Sequence, residues 1–158
     1  MTSHISSKLA SLGYTLKPAG VSVANFLPSV KTGRLLFISG QIGIDAGTAT
    51  HPGRLGAELE VTQGYEAARA ATMSVLAHIA AATDDTLSRV RRVVRLGVFV
   101  ASTDSFTQHS QVANGASDLM VAVFGTTGQH ARAAVGVAAL PLGAAVEVEA
   151  LIELAEDA

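Results

Sequence analysis

From Ala145 to Glu153 apolar and polar positions alternate with period two. Val146, Val148, Ala150 and Ile152 fall on one side of an extended strand and Glu147, Glu149, Leu151 and Glu153 on the other. Just upstream, Ala133 to Ala139 also reads as extended, and Leu140-Pro141-Leu142-Gly143 supplies the turn between the two segments. Arg91 to Val100 predicts another strand, with Val94, Leu96, Val98 and Val100 facing one way. Two more strands are expected over residues 20–26 and 35–42, joined by the turn Lys31-Thr32-Gly33-Arg34, after which 42–56 is a loop rich in glycine and threonine. The period then changes. Tyr65, Ala68, Thr72, Val75 and Ile79 mark one stripe of a long helix with Thr62 as its N-cap and its end near Ala82. A second helix runs from Asp104 or His109 to Phe124, with a break expected near Asn114-Gly115, before Gly125-Thr126-Thr127-Gly128 loops out. Ser3 to Leu12 predicts a short amphipathic helix with Ile5, Leu9 and Leu12 on one stripe and Gly13 as its stop. Residues 1–16 are thus read as a helical appendage and 17–158 as a single domain.

The resulting order is β-β-α-β-α-β-β, an α+β arrangement. Its long helical crossovers require some parallel strand pairs. Two helices on one face leave the other face of the sheet to be covered, and a neighbouring subunit is the simplest cover. Composition adds to this. Apolar residues make up 49% of the chain and aromatics 4%, so the core is built from alanine, valine and leucine. Such modest apolar surface is more readily hidden when several copies share it.

A net charge of −2 with 11 lysines and arginines gives no overall pull toward nucleic acid. The one basic cluster, Arg89, Arg91, Arg92 and Arg95, lacks stacking aromatics nearby and reads as a strand entry with solvated or interface-paired side chains. Without cysteine there is neither disulfide nor thiolate chemistry. The N-terminus carries no signal-peptide pattern and no run reaches membrane-spanning length, so a cytoplasmic protein without membrane association is expected. The histidines at 4, 51, 78, 109 and 130 show no metal-ligand spacing, and no phosphate-binding glycine motif is present, so no metal and no cofactor are expected. His130 is read as an exposed loop residue, with a place near the pocket mouth, two residues before Arg132, as the alternative.

Candidate chemistry lies in the segment from His130 to Leu151. Arg132 stands among small apolar residues, where a guanidinium is costly to desolvate unless an anion meets it. Either the protein pairs it or it awaits an anionic ligand. Glu147 and Glu149, roughly 6.5–7 Å apart along one strand face, form either a catalytic wall or a solvated surface.

These features together resemble the RidA/YjgF family of enamine and imine deaminases, also labelled endoribonucleases. The resemblance rests on Leu35-Leu36-Phe37-Ile38-Ser39-Gly40-Gln41, on Arg91 to Ala101, on Asn114-Gly115-Ala116-Ser117-Asp118, and on the interval from Arg132 to Glu147. It covers about residues 17 to 155. It implies a chorismate-mutase-like fold and a homotrimer with sites at subunit boundaries, acting without a cofactor on a small anionic imine or enamine to release a 2-oxo acid and ammonia. Carried over, Arg132 would clamp the substrate carboxylate and Glu147 would orient the attacking water, whereas Glu149 is read as structural or ion-pairing. Ser39, Gly40, Asn114 and the backbone at Ala134 would complete the pocket. By residue type alone, Ser39-Gly40 could equally be a strand-end bulge and Asn114-Gly115 a turn or helix start. Phe26 falls where the best-known deaminases carry a tyrosine, so an apolar wall is kept and a hydroxyl is lost. That departure sustains a rival reading, a non-catalytic trimer binding small carboxylates. Ribonuclease activity is the weaker rival, because a basic groove and stacking aromatics are lacking.

Overall fold

The structure is a computed structural model and describes residues 3–156. Helix α1 (Ile5–Ser11) is followed by strands β1 (Ser29–Thr32), β2 (Leu35–Gln41), β3 (Ile44–Asp45) and β4 (Thr48–Ala49), then by α2 (Val61–Ala82). Strand β5 (Val90–Ala101), helix α3 (His109–Phe124) and strands β6 (Ala131–Val137) and β7 (Val146–Leu154) complete the chain. Five strands form a mixed sheet in the order β1-β2-β7-β5-β6, and β3-β4 is a separate small hairpin inside the expected loop. The last strand is therefore inserted at the centre, antiparallel to both β2 and β5, while β5 and β6 are parallel across the α3 crossover. Among the described residues no helix is long and apolar enough to cross a membrane.

Helices α2 and α3 cover one face. Leu36, Ile38, Leu96, Val98, Val148 and Ile152 meet Val75, Leu76, Ile79, Val112 and Met120 in a single buried cluster. The helices approach closely because Gly115 lies against α2: a methyl group there would sit 2.0 Å from the Tyr65 carbonyl oxygen. This explains why α3 runs unbroken through Asn114-Gly115, contrary to the expected interruption. The glycine serves packing rather than a break. The other sheet face carries Phe37 and Val135, both about half exposed, and the β7 glutamates.

Three further expectations need correction. Residues 20–26 are irregular, with Val21 and Val23 exposed, and the first strand begins at Ser29. Gly33-Arg34 forms the tight turn, with Gly33 at φ +57, and the ladder ends where Ser39 N donates to Pro28 O (2.9 Å), because proline has no N–H to continue it. In β5 it is Val93, not Val94, that joins Leu96, Val98 and Val100 in the core, since a bulge between Val93 and Arg95 shifts the phase by one residue. Helix α2 is capped by Glu60 rather than Thr62, and Gln63 Oε1 accepts from the Glu60 N–H at 2.8 Å.

Helix α1 sets Ile5 and Leu9 fully into the core and leaves Leu12 partly exposed. Its first turn is tied to Asp85, which accepts from the Ser6 N–H at 2.9 Å and from the Ser6 hydroxyl.

Candidate active site

Arg132 lies on β6 opposite Leu96 of β5 and points to the helix side of the sheet edge, where α3 receives it. Its Nη1 donates to Asn114 Oδ1 (2.9 Å) and Ser117 Oγ (3.0 Å), and its Nη2 donates more weakly to the Ser110 carbonyl (3.4 Å). A guanidinium has five N–H donors. Three are engaged by α3, and among the described residues no carboxylate lies within ion-pair distance. The remaining N–H groups suffice for one two-oxygen ligand. Ala134, two residues on, shares this face and packs half-buried on the core.

Ser110 and Ser117 escaped the sequence reading, although with Asn114 they follow helical spacing and form one stripe. His130 is not an exposed loop residue. It is half-buried, with Nε2 2.8 Å from Ser117 Oγ and Nδ1 2.6 Å from Gly128 O.

Glu147 faces the opposite side of the sheet. On β7, Val146 and Val148 point into the helical core, so Glu147 projects from the open face, opposite Phe99 of β5. Space for its carboxylate comes from Gly40, where a methyl group would lie 1.9 Å from Glu147 Oε1. Gly97 does the same for Glu149, whose Oε1 would be 2.6 Å from such a methyl. Two glycines on the flanking strands thus make room for two carboxylates on the central one. Glu149 is bonded to Arg95 at 3.1 Å, whereas no hydrogen bond from a described residue reaches Glu147. Burial, and secondarily the charge of Glu149, raises the Glu147 carboxyl above its ordinary pKa.

The Ser39-Gly40 bulge is present: Ile38 faces Ala150 and Gln41 faces Val148, one residue too many on β2. The strand-end bulge and the glycine that makes room for an acid are the same feature. Ser39 Oγ donates to Leu27 O at 2.8 Å, tying the segment that carries half-exposed Phe26 to this bulge.

The sequence-predicted residues therefore assemble into two groups. Arg132, Asn114 and Ala134 lie between β6 and α3; Glu147, Ser39, Gly40 and Phe26 lie across the sheet at the β2-β7 junction. Arg132 and Glu147 are two strand spacings apart across the sheet and three residues apart along it, roughly 14 Å between backbones, and on opposite faces, so one chain does not bring them together. A cavity of about 470 Å³ at the far edge, between Tyr14, Lys17, Ile42, Thr50 and Met73, includes none of these residues. Its walls are mainly apolar, and Lys17 there is already paired with Asp45 at 2.7 Å.

Residues 6–154 match the model of the family described as "YjgF/chorismate mutase-like, putative endoribonuclease". Protein TCP17 of Trypanosoma cruzi is 49% identical over 152 residues, covering 96% of this chain and 94% of that protein. The crystal structure of Atu1372, a protein of unknown function from Agrobacterium tumefaciens, superposes with a TM-score of 0.89 at 40% identity, over 96% of this chain and 92% of that one. The structure of RidA from the Antarctic bacterium Psychrobacter gives a TM-score of 0.57 at 28% identity, over 85% and 93% of the two chains. A centrally inserted β7, the bulge at Ser39-Gly40 and a match spanning nearly the whole chain thus lead to one conclusion: the chain belongs to the YjgF/RidA family.

Proposed function

We propose that the protein is a homotrimeric deaminase that hydrolyses reactive imines and enamines of small carboxylic acids, with each site formed from Arg132 of one subunit and Glu147 of the next. One observation carries this reading. Each half-site has capacity that its own chain does not use: Arg132 has N–H groups free for a carboxylate, and Glu147 is a half-buried acid that no described donor reaches. Because they occupy opposite faces, a second copy is what would let them share a ligand.

In this mechanism Arg132 holds the substrate carboxylate through two parallel hydrogen bonds and so fixes the adjacent C=N carbon. Water adds its oxygen to that carbon while Glu147 takes one of the water protons. Glu147 then returns the proton to nitrogen, giving a carbinolamine. Glu147 then takes the carbinolamine hydroxyl proton and delivers it to the amino nitrogen; as the C=O bond forms the C–N bond breaks, and ammonia and a 2-oxo acid leave. An enamine enters the same route after protonation on carbon. A carboxyl group whose pKa is raised suits both proton transfers better than an ordinary one.

The test generates imines in situ from several amino acids with an amino-acid oxidase and follows loss of the semicarbazide-trappable species. Wild type accelerates that loss and Arg132→Ala does not, while sedimentation shows both as trimers. If Arg132→Ala dissociates or unfolds the protein, the arginine is structural. Phe26, which offers no hydroxyl, favours a second reading as a carboxylate-binding trimer without turnover. Saturable binding of 2-oxo acids with no acceleration for any imine would establish that reading instead. RNA cleavage that persists in highly purified protein and vanishes in Arg132→Ala would support the endoribonuclease label.

A further inference from the structure

We infer that His130 and Ser117 form a relay that fixes the plane of the Arg132 guanidinium, so that both are positioning residues for carboxylate binding; only the kinetic consequence of this inference rests on the deaminase reading. The direction of the relay follows from what each atom can do. His130 Nδ1 lies 2.6 Å from Gly128 O. A carbonyl oxygen only accepts, so Nδ1 carries the hydrogen, and in the neutral ring Nε2 is then an acceptor. Its partner at 2.8 Å is Ser117 Oγ. Ser117 therefore spends its one hydroxyl hydrogen on His130, and its oxygen lone pairs are turned to receive Arg132 Nη1 at 3.0 Å. Arginine donates to serine, serine to histidine and histidine to the carbonyl, each in the same sense.

The end of this chain is itself held rigidly. Gly128 is buried against α3, and a methyl group on it would stand 2.4 Å from the Met120 carbonyl oxygen. The acceptor for His130 is thereby locked to the helix that also carries Ser110, Asn114 and Ser117. His130 immediately precedes β6 and Arg132 is the second residue of that strand, and both side chains reach Ser117 Oγ on α3. Without His130 the Ser117 hydroxyl is free to rotate and can turn its hydrogen toward the guanidinium. Nη1 would then keep Asn114 alone, and the planar fork could swing about its Nε–Cζ bond.

The experiment compares Ser117→Ala, His130→Leu and the conservative His130→Gln, whose amide oxygen can still accept from Ser117. The first readout is the NMR signal of the Arg132 side chain in arginine-¹⁵N-labelled protein, assigned with Arg132→Ala. Restricted guanidinium rotation is expected in wild type and His130→Gln, and fast averaging in the other two. The second readout is steady-state kinetics, with KM rising about threefold to tenfold in Ser117→Ala and His130→Leu at nearly unchanged kcat. Thermal melting checks folding, and Ser117→Ala decides alone if His130→Leu does not fold. Free rotation already present in wild type, or wild-type rotation and KM in Ser117→Ala, overturns the relay. The expected rotation pattern in a protein that turns over no imine supports the relay and refutes the deaminase reading.

Discussion

Replacing Gly40 by alanine separates the fold from the chemistry. The added methyl would lie 1.9 Å from Glu147 Oε1 and 2.8 Å from its Cδ, and ordinary contact begins near 3.4 Å. The carboxylate oxygen must therefore retreat by roughly 1.5 Å. The neighbour that moves is the far end of a flexible, half-exposed side chain, and leaving its rotamer costs about 0.5–1.5 kcal/mol. Restricting the unfolded chain through Gly→Ala returns about 0.4–1 kcal/mol. The net change in stability is thus about 1 kcal/mol or less, a Tm shift within about 4 °C for a chain of this size. Activity should respond far more, because misplacing a catalytic group by about 1 Å costs on the order of 10²-fold. On the proposed function, imine hydrolysis by Gly40→Ala is expected to drop by about that factor in kcat, with the melting curve and oligomeric state nearly unchanged. Wild-type kcat/KM in this variant would refute the claim that the position of Glu147 matters to the reaction. A Tm loss of 10 °C or more would show instead that Gly40 is there for the fold.

Gly115→Ala should behave oppositely, since its methyl meets the Tyr65 carbonyl at 2.0 Å and backbone cannot swing aside; a loss of about 3 kcal/mol or more is expected in denaturant melts, as α2 and α3 are forced apart. Glu147→Gln should lower kcat by about 10²–10³-fold and leave carboxylate binding intact, as measured by titration with a 2-oxo acid. The same variant carries a pH signature. A carboxyl whose folded pKa is raised penalises the folded state once it ionises, so Glu147→Gln should melt higher than wild type above the raised pKa, and the gap should close as pH falls through it. Gly97→Ala displaces Glu149 from Arg95, an ion pair nearly half exposed on both sides, and should cost less than about 1 kcal/mol with kcat kept within a few-fold of wild type.

The central strand was the easiest element to read, because β7 is buried on one face and alternation there reports burial directly. The same rule failed on β5, where two bulges change the phase without leaving a mark in the residue types. It also failed at residues 20–26, whose apolar residues have no strand to pair with once Pro28 ends the ladder. Asn114-Gly115 misled for a related reason: a glycine that admits a neighbouring helix looks, in sequence, like one that ends its own. At the candidate site, family resemblance pointed to the residues, but their division between two faces was not legible. That division depends on pairing parity, Arg132 with Leu96 and Glu147 with Phe99, which emerges only when β7 is placed between β2 and β5. The support around Arg132 was visible in principle as the 110-114-117 stripe. His130 was not, since its role depends on a carbonyl two residues away in a tight turn.

The bulge at Ser39-Gly40 grips the preceding loop through the carbonyl oxygens of Leu27 and Pro28. Every amino acid supplies such an oxygen, so the anchor is indifferent to which side chains the loop displays. On the proposed function, the side chain at position 26 can therefore be exchanged while the position of Glu147 stays constant, and the loop can be swapped as a cassette when new substrate preferences are engineered.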